Sequence, residues 1–175
     1  MAAHGGRRLC AADRLTITMV AFFMVIAFTI ELYFIVHHRD IRQRTDLFAQ
    51  IYELYGRGDE SYYGRGYVAL PLAFTTLNVF VTQTLNALLI WAIARRRHYR
   101  HPLQLAVSAY MSAFVILYLW TAHVSGYQGM AEKTFWGYVI VYAPQLPWLA
   151  GYMFLAWRSF TVIVQNSRAA GRDVG

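Results

Sequence analysis

Four long apolar stretches constrain the fold of this sequence more than any other feature. They cover residues 15–36, 68–93, 103–122 and 135–157. A helix that crosses a bilayer needs about 20 consecutive, mostly apolar residues, and each stretch meets that length. The sequence therefore predicts an all-α membrane protein in which four spans form a transmembrane bundle.

The composition favours the same class. Hydrophobic residues make up 58% of the 175 residues and charged residues only 14%, whereas a soluble domain carries about 25% charged residues. The chain is also too apolar to be disordered. A single cysteine, Cys10, excludes an internal disulfide framework and a multi-cysteine metal site. Nucleotide-binding and metal-binding motifs are missing, so we expect neither a cofactor nor a metal.

The net charge of +7 has a topological explanation. Basic residues lie in short clusters between apolar runs, a pattern that argues against nucleic-acid binding. The N-terminus, the connection between spans two and three, and the C-terminus together carry ten basic residues, and the other side carries six. Because basic residues accumulate in cytoplasmic segments, we predict that both termini are cytoplasmic, in a bacterial inner membrane or an endoplasmic reticulum.

This topology divides the chain into three parts. Residues 1–14 are predicted to form a cytoplasmic segment, 15–157 the transmembrane domain and 158–175 a cytoplasmic tail. The ten residues on the predicted cytoplasmic side are Arg7, Arg8, Arg14, Arg95, Arg96, Arg97, Arg100, Arg158, Arg168 and Arg172. The six on the other side are Arg39, Arg42, Arg44, Arg57, Arg65 and Lys133.

The long connection between spans one and two contains a fifth predicted helix. Over residues 46–55, Leu47, Ile51 and Leu54 recur at helical spacing, as in an amphipathic helix that lies at the membrane interface. Such a helix could cover a cavity or simply anchor the chain, and the sequence leaves both roles open.

Glu31 is the carboxyl group that lies well inside a predicted span. A charge at the bilayer centre costs at least about 2.5–3.5 kcal/mol, so an ionisable residue there is a candidate site residue. We expect Glu31 to be a neutral acid. It either donates a proton in a reaction or forms a hydrogen bond to a neighbouring helix.

Polar side chains also recur along span two. Asn78, Thr82 and Asn86 follow one another at four-residue intervals, with Thr75 close to the same face. Because amides need hydrogen-bonding partners in hydrocarbon, these residues are expected to face another helix or a polar cavity. Thr75, Asn78 and Thr82 are therefore candidate ligand-binding residues, with helix–helix packing as the alternative.

Two further groups complete the candidate site. His123, near the end of span three, could exchange protons with water or be an ordinary interfacial histidine. Span four carries an aromatic and polar stripe that is interrupted by two prolines, and tryptophan and tyrosine rings attract cations. The stripe consists of Tyr138, Tyr142, Gln145, Trp148 or Leu149, and Tyr152, and the prolines are Pro144 and Pro147.

Four pieces of sequence together resemble the emopamil-binding protein family, which includes sterol Δ8-to-Δ7 isomerases and shares the EXPERA fold with a wider group. These pieces cover residues 30–34, 47–62, 119–127 and 138–148 in the family's order and spacing. The resemblance extends over about residues 18–157. It implies a bundle of four or five membrane helices with a hydrophobic cavity that opens to the bilayer.

The resemblance also implies roles for individual residues. Glu31 looks like the catalytic glutamate of the isomerases, and Gln145 and Trp148 look like the asparagine and tryptophan that face the cationic intermediate. The family's histidine is replaced by Ala27. A second glutamate is expected within residues 73–76, where this chain has no carboxyl group. The acid and the aromatic wall are present, but part of the proton-transfer apparatus is absent.

We therefore expect a membrane-embedded isomerase or cyclase that acts on a hydrophobic polycyclic substrate of the sterol, terpenoid or polyketide kind. Glu31 would protonate the substrate, and its conjugate base could take the second proton from the same face. Gln145 would orient Glu31, and the aromatic stripe would stabilise a carbocation. A non-catalytic binder of lipophilic ligands and a scaffold protein without a cavity are the alternatives. The expected partners are the substrate and the lipid bilayer, without nucleic acid, and a homodimer is left open.

Overall fold

The computed structural model describes residues 9–131 and 133–172, and these residues form helices, turns and loops without a strand. Arg7, Arg8 and Glu132, together with residues 173–175 of the predicted tail, lie outside the described residues. The helices are α1 (Ala11–His37), α2 (Leu47–Gly56), α3 (Ala69–Ala94), α4 (Arg100–Val124), α5 (Phe135–Tyr142) and α6 (Leu146–Arg172).

Three helices, α1, α3 and α4, are each long and apolar enough to cross a membrane. The pair α5 and α6 meets the same criterion as one span with a 40° bend. The predicted all-α membrane architecture is therefore confirmed, and the protein is an integral membrane protein. The assignment of the termini to the cytoplasmic side remains a prediction.

The bend in the fourth span lies at the two prolines. Helix α5 ends at Tyr142 and α6 begins at Leu146, so that Pro144 falls in the break and Pro147 in the first turn of α6. Proline lacks a backbone N–H and clashes with the preceding turn, which is why the helix breaks here. Helix α6 continues past the predicted span end at residue 157 to Arg172, because no proline or glycine interrupts residues 158–170.

Helices α4 and α6 form the most extensive helix pair, and α1 packs mainly along α3 and also contacts α6. The interior contains Val20, Phe23, Leu89, Met111 and Tyr152, all nearly inaccessible to solvent. Gly151 of α6 lies directly against Phe23. A Cβ atom at this glycine would be only 2.9 Å from Phe23 Cζ, so the close approach of α1 and α6 depends on the missing side chain.

An ionic cluster, Asp13 with Arg100 and Arg158, joins three helices at the end of the bundle where α1 begins. Asp13 is only 4% exposed. Its Oδ1 lies 2.7 Å from Arg158 Nη2 and its Oδ2 lies 3.1 Å from Arg100 Nη1. Arg158 also donates to Thr16 Oγ1 at 2.7 Å. The sequence placed Asp13 in a segment that precedes the bundle, but helix α1 already begins at Ala11, so this carboxylate belongs to the bundle.

Helix α2 lies between the first two spans, close to its predicted bounds. Asp46 Oδ1 accepts a hydrogen bond from the Ala49 N–H at 3.2 Å and caps the helix N-terminus. Ala49 and Tyr52 are buried against the bundle, whereas Leu47 and Leu54 are exposed. An outward apolar stripe is typical of a helix that lies at a membrane interface.

Candidate functional site

A cavity of about 620 Å³ lies between the helices, with walls from α1, α2, α3, α4 and the α5–α6 break. Its volume falls within the range of about 300–1,000 Å³ that is usual for ligand pockets. Most of the lining is apolar or aromatic, as at Ile26, Ile30, Phe114 and Val139. A scaffold protein without a cavity does not fit this structure.

The cavity opens to the side of the bundle. Its lining includes Phe22 and Leu54, which are 56% and 54% exposed. Pro144 and Pro147 at the α5–α6 break also line it and are exposed. These residues lie on α1, α2 and the broken fourth span, so the opening faces the surface that a bilayer covers.

Glu31 and Asn78 meet at the cavity wall. Asn78 Nδ2 donates a hydrogen bond of 2.6 Å to Glu31 Oε2, and both residues line the cavity. Each lies in a wider π-helical turn, over Ala27–Glu31 in α1 and Leu77–Thr82 in α3. π-Helical turns inside α-helices are frequent at functional sites. Sequence periodicity gave no sign of either turn.

A chain of side-chain amides continues from Asn78 into the interior. Gln83 Nε2 donates to Asn78 Oδ1 at 3.0 Å, and Asn86 Nδ2 donates to Gln83 Oε1 at 2.9 Å. Asn86 Nδ2 also donates to the Tyr152 hydroxyl at 2.8 Å. This chain orients the Asn78 side chain so that its N–H group points at Glu31. Sequence reasoning recognised Asn78 and Asn86 but gave Gln83 no role in connecting them.

The two threonines predicted with Asn78 occupy different environments. Thr75 lines the cavity, and its hydroxyl donates to the Pro71 carbonyl at 2.7 Å. Thr82 is fully buried, and its hydroxyl donates to Met111 Sδ at 3.2 Å, outside the cavity wall. The π-helical turn rotates Thr82 away from the face that it would share with Asn78 in a regular helix.

Stacked aromatic rings form one wall of the cavity. The Trp148 and Phe23 rings are 4.3 Å apart at an interplanar angle of 19°, and both residues line the cavity. Tyr152 stacks on Phe23 at 5.2 Å behind them. The structure therefore brings Trp148 to the same cavity as Glu31.

Gln145 also lines the cavity, but its partner is not Glu31. Its Nε2 donates to the Tyr55 hydroxyl at 3.1 Å, and the Tyr55 and Tyr118 hydroxyl oxygens are 3.3 Å apart. Tyr118 in turn donates to Asp59 Oδ2 at 3.0 Å. Burial raises the pKa of Tyr55 to about 12, so this residue is a neutral phenol at physiological pH. The expectation that Gln145 orients Glu31 is wrong, since Asn78 does so.

Three further candidate residues from the sequence, in addition to Thr82, lie outside the cavity wall. Tyr142 forms a 2.7 Å hydroxyl–hydroxyl bond with Tyr127, and the Tyr138 ring lies 4.9 Å from the Tyr127 ring. His123 is exposed and contacts Trp120 and Tyr127. For Tyr138 and Tyr142 the reason is the 40° bend after Tyr142, which gives α5 and α6 different directions and splits the predicted aromatic stripe.

The positions at which the resemblance predicted further catalytic groups are occupied by apolar and neutral residues. Ala27 is fully buried. Phe74 and Thr75 line the cavity within the range expected for the second glutamate. In the part of the chain that the structure describes, no three His, Cys, Asp or Glu side chains lie together as metal ligands.

Comparison with known proteins agrees with the resemblance. The sequence profile of the EXPERA (EXPanded EBP superfamily) family matches residues 47–159, which is well over half of the chain. The match begins after Glu31 and includes Asn78, Gln145 and Trp148. A curated relative from Arabidopsis thaliana, named probable 3-beta-hydroxysteroid-Delta(8),Delta(7)-isomerase, is 24% identical over 170 residues, which cover 97% of this chain and 75% of the relative. The chain belongs to the EXPERA (EXPanded EBP superfamily) family.

Proposed function

We propose that this protein is a membrane-embedded isomerase that moves a ring double bond in a hydrophobic, sterol-like substrate. The observation that carries the proposal is the Glu31 carboxyl group, held by Asn78 at the wall of an apolar cavity that also contains the Trp148 ring. Membership of the EXPERA family and the name of the Arabidopsis relative support the same reaction.

The cavity favours a substrate that is mainly hydrocarbon. Its walls are largely apolar, and its side opening is bordered by the exposed residues Phe22 and Leu54. A polycyclic lipid dissolved in the bilayer can enter through such an opening without crossing water. We take a Δ8-sterol with a 3β-hydroxyl group as the probe substrate, because the relative's name specifies that skeleton.

Converting a Δ8 to a Δ7 double bond requires one proton in and one proton out, without oxidation or reduction. A proton added to C9 breaks the C8=C9 π bond and leaves a cation at C8. Loss of a proton from C7 then forms the C7=C8 bond. Because Asn78 donates a hydrogen bond to Glu31 Oε2, the proton of the neutral acid lies on the other oxygen, Oε1. From Oε1 it can be transferred to C9. General acid catalysis of this kind contributes about 10²–10⁴-fold in rate.

The cation at C8 must be stabilised by groups that do not form a covalent bond to it. The Trp148 face, which stacks on Phe23, supplies the quadrupole that attracts cations. Apolar residues around it exclude water, which would otherwise add to the cation. The side-chain amide of Gln145 completes this end of the cavity.

The direct test is conversion of the Δ8-sterol in membranes that contain the protein, with the Δ7 product identified by chromatography and mass spectrometry. Glu31→Gln keeps the shape and the hydrogen bond to Asn78 but cannot cycle a proton, so its turnover should fall about 10²–10⁴-fold. Glu53→Gln changes an exposed glutamate on α2 outside the cavity and should leave turnover unchanged. Wild-type turnover by Glu31→Gln would exclude Glu31 as the acid.

A non-catalytic binder of lipophilic ligands is the second candidate. The replacement of the family histidine by Ala27 and the lack of a second carboxyl group within residues 73–76 favour it. A binder would retain the sterol in the cavity and yield no Δ7 product. The same conversion assay, together with a binding measurement on labelled sterol, therefore separates the two functions.

A further inference from the structure

Gln145, Tyr55, Tyr118 and Asp59 form a chain of hydrogen bonds in which each donor can be assigned. Tyr118 donates its proton to Asp59 Oδ2 at 3.0 Å. The Tyr118 oxygen is then the acceptor in its 3.3 Å contact with Tyr55, which therefore donates. The Tyr55 oxygen accepts from Gln145 at 3.1 Å. A phenol oxygen has two acceptor lone pairs, so Tyr55 can accept one more proton.

This chain joins the cavity to the surface of the protein. Tyr55, Tyr118 and Gln145 line the cavity, whereas Asp59 lies outside the cavity lining in the loop that follows α2 and is only half-buried. We call Tyr55, Tyr118 and Asp59 the tyrosine relay.

Asp59 is held as a hydrogen-bond acceptor. Its Oδ1 accepts from the Ser61 N–H at 3.1 Å and from the Ser61 hydroxyl, while Oδ2 accepts from Tyr118. Gly129 packs against it so closely that a Cβ atom there would be 3.1 Å from Oδ1. Both carboxyl oxygens of Asp59 therefore have hydrogen-bond donors directed at them, and Oδ2 is the atom that faces Tyr118.

We propose that Tyr55, supported by Tyr118 and Asp59, removes the second proton of the isomerisation. This inference rests on the proposed function and identifies the base of that reaction. The C7–H bond breaks, its electron pair forms the C7=C8 bond, and the proton goes to the Tyr55 oxygen. In the same step the Tyr55 proton passes to Tyr118, and the Tyr118 proton passes to Asp59.

The proton balance of this scheme closes over one turnover. One proton leaves Glu31 for C9, the C7 proton moves to Tyr55, and the relay delivers the Tyr118 proton to Asp59, so no oxidant or reductant is needed. After the product leaves, water that enters the cavity returns a proton to Glu31, and the half-buried Asp59 releases its proton to water.

Acid and base lie on different elements in this scheme, with Glu31 on α1 and Tyr55 on α2. Tyr55 is the catalytic residue of the base side, and Tyr118 and Asp59 are positioning residues.

The relay is tested with Tyr118→Phe, which removes one oxygen and keeps the ring. Turnover of the Δ8-sterol should fall about 10²-fold, the lower end of the range for loss of general base catalysis. The isotope effect from deuterium at C7 should also become larger than in the wild type, because removal of the C7 proton becomes the slow step. Asp59→Asn should act in the same direction, since an amide oxygen is a much weaker base than a carboxylate.

Tyr127→Phe is the matched control. It removes the hydroxyl of another tyrosine pair, the 2.7 Å contact with Tyr142, outside the cavity wall. Its turnover and its C7 isotope effect should equal those of the wild type. If Tyr118→Phe is not recovered as a folded protein, Asp59→Asn provides the decisive comparison with this control.

The outcomes separate the relay from the proposed function. If relay variants turn over at the wild-type rate, or turn over slowly with an unchanged C7 isotope effect, the relay is wrong while the isomerase proposal stands. If the wild-type protein yields no Δ7 product from the Δ8-sterol, the isomerase proposal fails and the relay fails with it.

Discussion

At the scale of single residues, the partner of Glu31 determines what its carboxyl group can do. An arginine or lysine at this place would hold the group as a carboxylate, whereas Asn78 is a neutral donor. In apolar surroundings an unpaired carboxylate is costly and the neutral acid is the more stable form. The amides of Gln83 and Asn86 fix Asn78 in this orientation, so they support the acid without contacting it.

Trp148 provides a test of the cation at the same scale. Trp148→Leu retains apolar bulk but removes the ring face, whose attraction for a cation is about 0.5–2 kcal/mol. Turnover of the Δ8-sterol should therefore fall roughly 2- to 30-fold, while binding of the neutral substrate changes less. Trp136→Leu changes a tryptophan that is 70% exposed and serves as the control. A Trp148→Leu variant that binds the sterol normally and turns it over at the wild-type rate would contradict a carbocation at this ring.

At the scale of elements, two π-helical turns shape the site, and side chains from outside each turn satisfy its carbonyl groups. Tyr52 of α2 donates to the Ile30 carbonyl at 3.0 Å, and Gln83 Nε2 donates to the Asn78 carbonyl at 3.2 Å. A widened turn leaves backbone groups without their usual partners, and these two bonds compensate for that loss. Helix α2 therefore supports the turn that contains Glu31.

The ionic cluster of Asp13, Arg100 and Arg158 gives a prediction about how the helices hold together. Asp13→Ala leaves two partly buried arginines without their shared partner, and breaking a buried pair typically costs about 3–5 kcal/mol. We expect a loss near the lower end of that range, because Arg100 keeps access to water. The free energy of unfolding, measured by denaturant titration in detergent, reports this change.

The control for this measurement is Asp40→Ala. Asp40 pairs with His37 and Arg44 at an exposed site, and exposed ion pairs contribute little to stability. Equal losses of stability in Asp13→Ala and Asp40→Ala would show that the buried cluster has no special role in joining α1, α4 and α6.

At the scale of the whole molecule, the orientation in the membrane is the open prediction. The excess of basic residues in three of the five segments outside the four spans predicts cytoplasmic termini. In a Cys10→Ser background, Ser167→Cys on α6 and Arg57→Cys after α2 should be labelled by a membrane-impermeant thiol reagent from opposite sides. Both native side chains are exposed, so access to the reagent is not limited by burial. Labelling of both positions from the same side would contradict the four-span topology.

The all-α membrane architecture, the break at Pro144 and Pro147, and the helix after Asp46 followed from the sequence alone. These features depend on local chemistry, namely the length of apolar runs, the missing proline N–H and the spacing of apolar residues along one helix. Glu31 could be recognised in the same way, because a carboxyl group inside an apolar run is conspicuous whatever surrounds it.

The partners of each polar group were decided only by the tertiary structure. Asn78 reaches Glu31 across 47 residues of sequence, and Gln145 reaches Tyr55 across 90. These contacts depend on how each helix is rotated about its axis, and a single widened turn or a 40° bend changes that rotation for every residue beyond it. For that reason Thr82, Tyr138 and Tyr142, which fit a regular helical stripe, lie away from the cavity. Asp59 and Tyr118, which no sequence pattern marked, stand at the end of a hydrogen-bond chain that leads into it.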